Sequence, residues 1–302
     1  MLKGLSNIKK VSCVLADMDG TLLRHEFGIS NRNSDAIRNI MVKGVPFFIA
    51  TGRSRKSAAQ AAGQRFVDLL GGDVNRLSGV YSQGLVVFGK EGMLIHESFL
   101  SSDVIEDVEL YCQKHRISLI VYAGDRILTA EQTDFTRGIV CVKEPMPELQ
   151  DTLLHQLHRI GVKINKLILL EAEEILIKHR PDIEKRLRGV ASLTKAVPGM
   201  LEVLPFGASK GAGVRLLLDH FALGTEGCVA FGDGENDKEM LQLVEHGVAV
   251  ANAHPELKRH AKLVTLSNQE DGVAVVLEHI HGTLLSTPKE FNTDTEAKLS
   301  DL

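Results

Sequence analysis

Cysteine is scarce in this sequence, and its distribution argues against two kinds of site. The four cysteines are far apart and show none of the paired spacings that hold zinc. Cys13 and Cys228 fall inside apolar runs typical of buried strands, where a free cysteine behaves as a small hydrophobe. We therefore expect reduced thiols, a cytoplasmic protein and no catalytic cysteine.

Long apolar runs and clusters of positive charge are also missing. No stretch approaches the ~20 apolar residues of a membrane-spanning helix, and residues 1–10 lack the apolar core of a secretion signal. The 35 basic residues are outnumbered by 39 acidic ones, which gives a formal net charge of −4, and they form no dense stripe. We expect no membrane partner, no nucleic-acid partner and no secretion.

Two common nucleotide-binding signatures are absent as well. Ser209-Lys210-Gly211 invites comparison with a P-loop, but the sequence contains no Gly-x₄-Gly-Lys-Ser/Thr. Gly232-Asp233-Gly234 lacks the third glycine of a dinucleotide fingerprint. Neither segment is therefore interpreted as a site of these kinds.

What the sequence does contain is a regular alternation of strands and helices at both ends. Its 302 residues suffice for one large domain or two ordinary ones. The alternation predicts an α/β fold with a doubly wound parallel sheet. The predicted strands are 11–16, 45–50, 80–82, 227–231, 247–250 and 263–265. The predicted helices are 33–43, 54–70, 210–220, 238–245, 255–261 and 271–280.

The middle of the chain lacks this alternation and predicts an inserted α+β cap domain. A glycine-bounded hairpin follows Gly84, and mixed strands and helices come after it. The predicted helices there are 103–115, 148–160 and 182–188, and the predicted strands are 85–88, 93–95, 117–122, 127–130, 166–170 and two about Pro198-Gly199. The predicted domains are a split core (1–84 and 201–282), the cap (85–200) and a loose tail (283–302).

Two acidic residues follow the first buried strand, in Asp17-Met18-Asp19-Gly20-Thr21. Alternate side chains of a strand point the same way, so Asp17 and Asp19 can converge at the carboxyl edge of the sheet, where open α/β sheets bind ligands. Two carboxylates so close need a cation between them, or one must keep a proton. Both arrangements suit phosphoryl transfer, with one carboxylate as nucleophile and the other as acid/base.

Three further polar segments are expected at the same edge. Thr51-Gly52-Arg53 follows the second strand, and Gly232–Asp237 (Gly-Asp-Gly-Glu-Asn-Asp) follows the strand at 227–231. Ser209-Lys210-Gly211 begins a helix whose free amide groups can face an anion. Because the ends of parallel strands lie side by side, these segments can meet over one pocket.

These four segments, in this order, resemble the four motifs of the haloacid dehalogenase superfamily. The insert between the second and third motifs, with the late stretch 247–253 (Gly-Val-Ala-Val-Ala-Asn-Ala), is similar to the Cof-like (IIB) subfamily of capped, Mg-dependent sugar-phosphate phosphatases. The resemblance spans residues 11 to about 280. Any one motif is short, but four in order are specific.

The resemblance implies roles for the acidic residues. Asp17 would attack phosphorus and form an aspartyl-phosphate, and Asp19 would act as general acid and then base. The acid role requires partial burial of Asp19 to raise its pKa above the usual ~3.9. Mg²⁺ would be held by Asp17, Asp233 and the main-chain carbonyl of Asp19, with Asp237 holding metal-bound water rather than the ion itself.

The resemblance also implies groups that bind the phosphoryl group. Thr51 would donate a hydrogen bond, and Lys210 would neutralise phosphoryl charge. Asn236 would help Asp237 hold metal-bound water. On the substrate side we place Gly20, Gly52, Arg53 and Asn236.

The sequence leaves the roles of several residues open. Gln83-Gly84 stands where Cof-like proteins usually have Asn-Gly, which puts a substrate-side contact in doubt. Taken alone, 233–237 could be an acidic loop or a weak calcium site, and Asn252 and Asn268 could contact phosphate or form turns.

The sequence thus predicts a Mg²⁺-dependent phosphatase for small phosphorylated metabolites, sugar phosphates above all, acting as a monomer or homodimer. The alternatives are a phosphomutase similar to phosphomannomutases and a non-catalytic ligand-binding protein on the same fold.

Overall fold

The computed structural model describes residues 5–8, 10–24, 28–142, 144–195 and 197–286. The strands are β1 Cys13–Ala16, β2 Leu23–Arg24, β3 Gly28–Ile29, β4 Phe47–Ala50, β5 Gly79–Tyr81, β6 Val86–Phe88, β7 Leu94–Glu97, β8 Ser118–Ala123, β9 Arg126–Thr129, β10 Glu148–Leu149, β11 Lys166–Leu170, β12 Ala191–Thr194, β13 Met200–Pro205, β14 Cys228–Gly232, β15 His246–Ala249 and β16 Leu263–Val264. The α-helices are α1 Asn31–Met41, α2 Arg55–Ala62, α3 Gln64–Leu69, α4 Ser102–His115, α5 Asp134–Gly138, α6 Leu154–Leu157, α7 Glu173–Leu187, α8 Lys210–His220, α9 Lys238–Leu243, α10 Pro255–His260 and α11 Gly272–Ser286.

The first sheet has the strand order β16-β15-β14-β1-β4-β5-β6-β7. From β16 to β5 the neighbouring strands are parallel, and β6 and β7 add antiparallel at one edge. The central strands β1, β4 and β14 are buried along their whole length, as expected for parallel strands covered on both faces. The predicted α/β fold with a doubly wound parallel sheet is confirmed.

The two faces of this sheet are covered by different helices. Val14 and Ala16 of β1 pack into an apolar cluster with side chains of α1, α2 and α11. Cys13 and Leu15 point the other way and pack with side chains of α8, α9 and α10. Each apolar strand therefore supplies both layers of the core. Cys13 and Cys228 lie beside each other in β1 and β14, and both are buried and free, as expected.

The second sheet has the order β10-β9-β8-β11-β13-β12 and is antiparallel except between β10 and β9. Apolar side chains such as Ile105 of α4, Leu167 of β11 and Ile183 of α7 fill one face. These elements form the mixed α+β structure that the middle of the sequence predicts.

Two segments join a different sheet from the one predicted for them. The hairpin of β6 and β7 is predicted to begin the cap, but Val87 pairs with Val80 of β5 and the hairpin extends the first sheet. Residues 201–205 fall in the predicted second part of the core, but they belong to β13, one of the two strands predicted about Pro198-Gly199 in the insert, and β13 pairs with β11 in the second sheet. Glycine turns mark a hairpin locally, whereas its pairing partner is decided by contacts distant in sequence.

Three helix predictions also need correction. The predicted helix 148–160 is replaced by β10, the short helix α6 and a 3₁₀ turn. The predicted helix 182–188 is the longer α7, which continues through Pro181 because Leu176, Ile183 and Leu187 are buried. The predicted helix 54–70 divides at Gly63, whose φ of +87° lies outside helical geometry.

The last helix begins at Gly272 and ends at Ser286, so residues 283–286 of the predicted loose tail are helical. The rest of that predicted tail lies outside the described residues. Within the part of the chain that the structure describes, no helix combines the length and the apolar character needed to cross a membrane.

Candidate active site

The carboxyl ends of neighbouring parallel strands bring the predicted site residues to one edge of the first sheet. Ala16 of β1 lies beside Phe231 of β14 and Ile49 of β4. The next residues on these strands therefore lead directly into Asp17, Thr51 and Asp233. The Asp17 N–H donates to the Phe231 carbonyl at 3.0 Å, which fixes the first of these turns.

Lys210 occupies the centre of the site. Its Nζ donates to Asp17 Oδ1 at 2.5 Å and to Asp237 Oδ1 at 2.8 Å. The side chains of Lys210 and Asp237 have no exposed surface, and that of Asp17 is 7% exposed. Helix α8 begins at Lys210, and the Ser209 side chain caps its first turn. Residues from three distant parts of the sequence thus share one buried ion-pair network.

Three carboxylates form a compact group around this lysine. Asp17, Asp233 and Asp237 each offer an oxygen, and these oxygens all lie within 4.8 Å of one another. Asp233 Oδ1 accepts a hydrogen bond from Thr21 Oγ1 at 2.8 Å. Asp237 Oδ2 accepts from the backbone N–H groups of Asp233 and Gly234 at 2.9 and 3.0 Å. Both oxygens of Asp237 already accept hydrogen bonds, which suits the prediction that it holds metal-bound water rather than the ion itself.

The electrostatics of this group call for a further cation. Burial raises the pKa of Asp17 well above its usual range; Lys210 opposes the rise, while Asp237, Asp233 and Asp19 add to it. Burial, followed by the charge of Asp237, raises the pKa of Asp233 to about 7. Burial alone would lower the pKa of Lys210, but Asp17 and Asp237 outweigh it and the net pKa is raised. An all-oxygen donor set whose members resist ionisation fits a divalent ion such as Mg²⁺.

Asp19 forms an ion pair with Arg53 that the sequence did not predict. Its side chain is partly buried, with 44% of its surface exposed. Arg53 Nη2 and Nε donate to its two oxygens, both at 2.8 Å. A bidentate arginine pair therefore holds Asp19 in this structure.

Arg53 also joins the first sheet to the segment around Glu144. Nη1 donates to Glu144 Oε1 at 3.2 Å, and Nη2 donates to the Val142 carbonyl at 2.7 Å. Ser57 Oγ donates to the same Glu144 oxygen at 3.1 Å. The guanidinium is almost fully buried, since its side chain is only 6% exposed. Arg53 thus contacts both Asp19 and the segment that contains Val142 and Glu144.

The other predicted site residues lie against this network. Thr51 is fully buried, and its Oγ1 accepts from the Arg53 N–H at 3.2 Å. Asn236 Nδ2 donates to Gln83 Oε1 at 2.9 Å. A Cβ at Gly52 would lie 2.6 Å from Gln83 Nε2, so a larger residue there would displace the Gln83 amide group.

Gly20 is required by both conformation and space. Its φ is +74°, and a Cβ there would lie 2.2 Å from Asp233 Oδ2. We expect Gly20→Ala to displace Asp233 and to lower the free energy of unfolding by about 1–3 kcal/mol, measured by urea denaturation. Gly44→Ala is the matched control, because Gly44 has a φ of +82° with no atom within 4 Å of the added Cβ. Equal losses for the two variants would show that Asp233 is not displaced.

Several residues of the site were not identified from the sequence as contributing to it. Thr21 lies within the first motif, so its contact with Asp233 could have been found there. Asn252, for which the sequence left a phosphate contact and a turn open, donates from Nδ2 to the Gly20 carbonyl of the first motif at 2.7 Å. Glu144 and Glu202 follow no motif, and only the approach of the two sheets brings them in.

Comparison with known proteins identifies relatives. The sequence profile of the haloacid dehalogenase-like hydrolases matches residues 14–277. A chloroplastic endoribonuclease of Arabidopsis thaliana, YBEY, is 36% identical over 88% of this chain, but the chain spans only 46% of that protein's length. An HMP-PP phosphatase of Escherichia coli is 28% identical over 80% of this chain and 85% of its own length.

A solved structure supports the same grouping. The crystal structure of a haloacid dehalogenase-like hydrolase from Bacteroides thetaiotaomicron superposes with a TM-score of 0.75. It is 25% identical, and the match covers 90% of this chain and 100% of that one. The predicted family, and the prediction of a phosphatase-type hydrolase, are confirmed.

Proposed function

The chain belongs to the haloacid dehalogenase-like hydrolase family, and from that premise we propose that it is a Mg²⁺-dependent phosphatase using an aspartyl-phosphate on Asp17. Its substrates are small phosphorylated metabolites, with sugar phosphates as the favoured class. The observation that carries the proposal is the contact of Lys210 with both Asp17 and Asp237 beside Asp233, at one sheet edge. Residues of the first, third and fourth motifs meet there, and Arg53 of the second motif pairs with Asp19 of the first.

Asp17 is suited to attack phosphorus because Lys210 fixes one of its oxygens. Lys210 is itself held by Asp237, so its ammonium stays in place while charge moves onto the phosphoryl oxygens. Phosphoryl transfer depends mainly on such positioning and charge neutralisation. A covalent intermediate divides one difficult displacement into two easier ones.

Asp17 and Asp233, with the main-chain carbonyl of Asp19, would hold Mg²⁺. When bound, the ion supplies positive charge that favours ionised carboxylates and neutralises the phosphoryl group. Asp237 and Asn236 would orient metal-bound water. The buried, charge-crowded carboxylates support this assignment without relying on the relatives.

Asp19 would protonate the leaving oxygen and later take a proton from the attacking water. Its carboxylate must then leave the bidentate pair with Arg53. Glu144 gives Arg53 a second anionic partner, so the guanidinium need not stay with Asp19. We propose that the observed Asp19–Arg53 pair is the resting arrangement.

The second sheet and its helices would act as a cap. Besides the Arg53–Glu144 pair, Arg180 of α7 donates to both oxygens of Glu235 at 2.6 and 2.9 Å. Glu235 lies in the segment 233–237, which we call the metal-binding loop. Closed in this way, the cap would exclude water and select the leaving group. A cytoplasmic location and a monomeric or homodimeric state stay predictions.

Stabilisation by Mg²⁺ is expected to depend on pH. The pKa of Asp233 is raised to about 7, so below that pH Mg²⁺ must displace a proton from this carboxyl group. The same shift makes the folded metal-free protein bind more protons than the unfolded chain between pH ~4 and ~7, so this group's contribution to stability is lost as pH rises. The gain in unfolding free energy on adding Mg²⁺ should increase from about pH 5.5 to about pH 8. A gain that is the same at both ends, in urea titrations, would contradict the metal assignment of Asp233.

The activity is tested by phosphate release from p-nitrophenyl phosphate and from a panel of phosphorylated metabolites. The panel contains sugar and polyol phosphates, nucleotides, and HMP-PP because of the similar Escherichia coli protein. Glucose and mannose phosphates separate the rival activity, since a phosphomutase would return isomerised sugar phosphate with little free phosphate. Absence of Mg²⁺-dependent release from every compound would favour a non-catalytic binding protein.

A further inference from the structure

A continuous chain of hydrogen bonds crosses from the second sheet to the metal-binding loop. Lys166 Nζ donates to the Gly52 carbonyl at 3.1 Å and to Glu202 Oε2 at 2.7 Å. Gln83 Nε2 donates to Glu202 Oε1 at 2.8 Å. Asn236 Nδ2 donates to Gln83 Oε1 at 2.9 Å. We call Lys166, Glu202, Gln83 and Asn236 the amide relay.

The interior of the relay is removed from solvent. Gln83, Lys166 and Glu202 are 1%, 3% and 4% exposed. A buried ion pair brings little net stability, because both charges lose their hydration. A buried polar network that is fully satisfied does, however, fix side-chain orientation. We therefore expect the relay to act by fixing the orientation of its side chains rather than by adding stability.

The backbone at Gln83 is held in an uncommon conformation. Ser82, Gln83 and Gly84 have consecutive φ values of +50°, +63° and +92°. Non-glycine residues adopt this region only where surrounding contacts impose it. Gly84 is also pressed against α8, since a Cβ there would lie 2.0 Å from the Ser209 carbonyl oxygen. The strained turn directs the Gln83 side chain between Glu202 and Asn236.

The chemistry of the relay allows one orientation of each amide. Lys166 can only donate and the Glu202 carboxylate can only accept, so Gln83 must present its NH₂ group to Glu202. The Gln83 carbonyl oxygen then faces Asn236, which must donate to it from its own NH₂ group. The Asn236 carbonyl oxygen is thereby turned over the metal-binding loop, where a Cβ at Gly234 would lie 2.5 Å from it.

We propose that Gln83 and Glu202 are positioning residues that hold the Asn236 carbonyl as an acceptor towards the metal site. This inference rests on the proposed function, because it gives Asn236 the task of orienting metal-bound water. It also assigns a use to the residue that departs from the usual Asn-Gly of Cof-like proteins: the longer glutamine spans from Glu202 to Asn236.

The relay can be inverted and then restored by substitution. In Glu202→Gln, the new carbonyl must accept from Lys166, so its NH₂ group faces Gln83 and both following amides turn over. The Asn236 NH₂ group would then point towards the metal site. In the double variant Gln83→Glu/Glu202→Gln, the carboxylate at position 83 accepts from both neighbours and Asn236 returns to its original orientation.

The experiment measures Mg²⁺ binding to the metal-free protein by calorimetry without substrate. We expect Glu202→Gln to weaken Mg²⁺ binding by at least about tenfold, and the double variant to return within about threefold of the wild type. Glu109→Gln is the matched control. Glu109, in helix α4, is as buried as Glu202 but pairs with His155. The Glu109→Gln variant should therefore bind Mg²⁺ like the wild type. Thermal melts identify the temperature at which each variant is folded.

Unchanged Mg²⁺ binding in Glu202→Gln would overturn the proposed role of the relay. A double variant that binds Mg²⁺ no more tightly than Glu202→Gln would overturn it as well. Phosphate release by the wild type is assayed in parallel. A wild type that binds Mg²⁺ without releasing phosphate would contradict the proposed phosphatase and leave the relay result standing. A wild type that binds no Mg²⁺ would overturn both.

Discussion

Asp17→Asn is expected to lower phosphate release from p-nitrophenyl phosphate by at least about 10³-fold, because removal of a nucleophile abolishes the covalent route. The amide keeps the size of the carboxylate, and its oxygen can still accept the hydrogen bond that Lys210 donates to Asp17. The variant should therefore fold, as shown by a cooperative thermal melt. Initial rates at saturating Mg²⁺ measure the effect.

Asp219→Asn provides the control for this loss. Asp219 is exposed on α8, the helix that begins with Lys210. The same chemical change there should leave the rate within about twofold of the wild type. Substantial turnover by Asp17→Asn would remove Asp17 from the nucleophile's role.

Asp19→Ala is expected to lower kcat/KM about 10²- to 10⁴-fold for an alkyl phosphate, the range typical of a lost general acid. The expected loss for p-nitrophenyl phosphate is much smaller, because p-nitrophenolate is a far weaker base than an alkoxide and needs little protonation. The comparison uses kcat/KM, which covers the step in which the leaving group departs. The Asp19 side chain is 44% exposed, so its removal should leave the fold intact.

A purely structural role for Asp19 predicts a different pattern. Loss of its pair with Arg53 would slow both substrates by the same factor. Equal losses would therefore contradict the acid assignment, as would an unchanged rate with the alkyl phosphate.

The sequence predicted the meeting of Asp17 and Asp233 because that meeting depends on local signals. Apolar strands followed by polar turns identify the carboxyl edge of a parallel sheet, and adjacent strands align those edges. The same reasoning accounts for the glycine at position 20, where the turn passes close to Asp233.

What could not be predicted depends on how the two sheets approach each other. Arg53 meets Glu144, and Gln83 meets Glu202, across more than 80 residues of sequence. The pairing of Asp19 with Arg53 was not predicted either, because no local pattern links these two positions. The hairpin of β6 and β7 carried a clear turn signal, yet nothing in it specified which sheet it would extend.

The stereochemical course at phosphorus tests the central claim most directly. A chiral phosphorothioate ester, hydrolysed in isotopically labelled water, reports whether displacement at phosphorus occurs once or twice. An intermediate on Asp17 requires two in-line displacements and predicts net retention of configuration. Net inversion would show direct attack by water and would contradict the account.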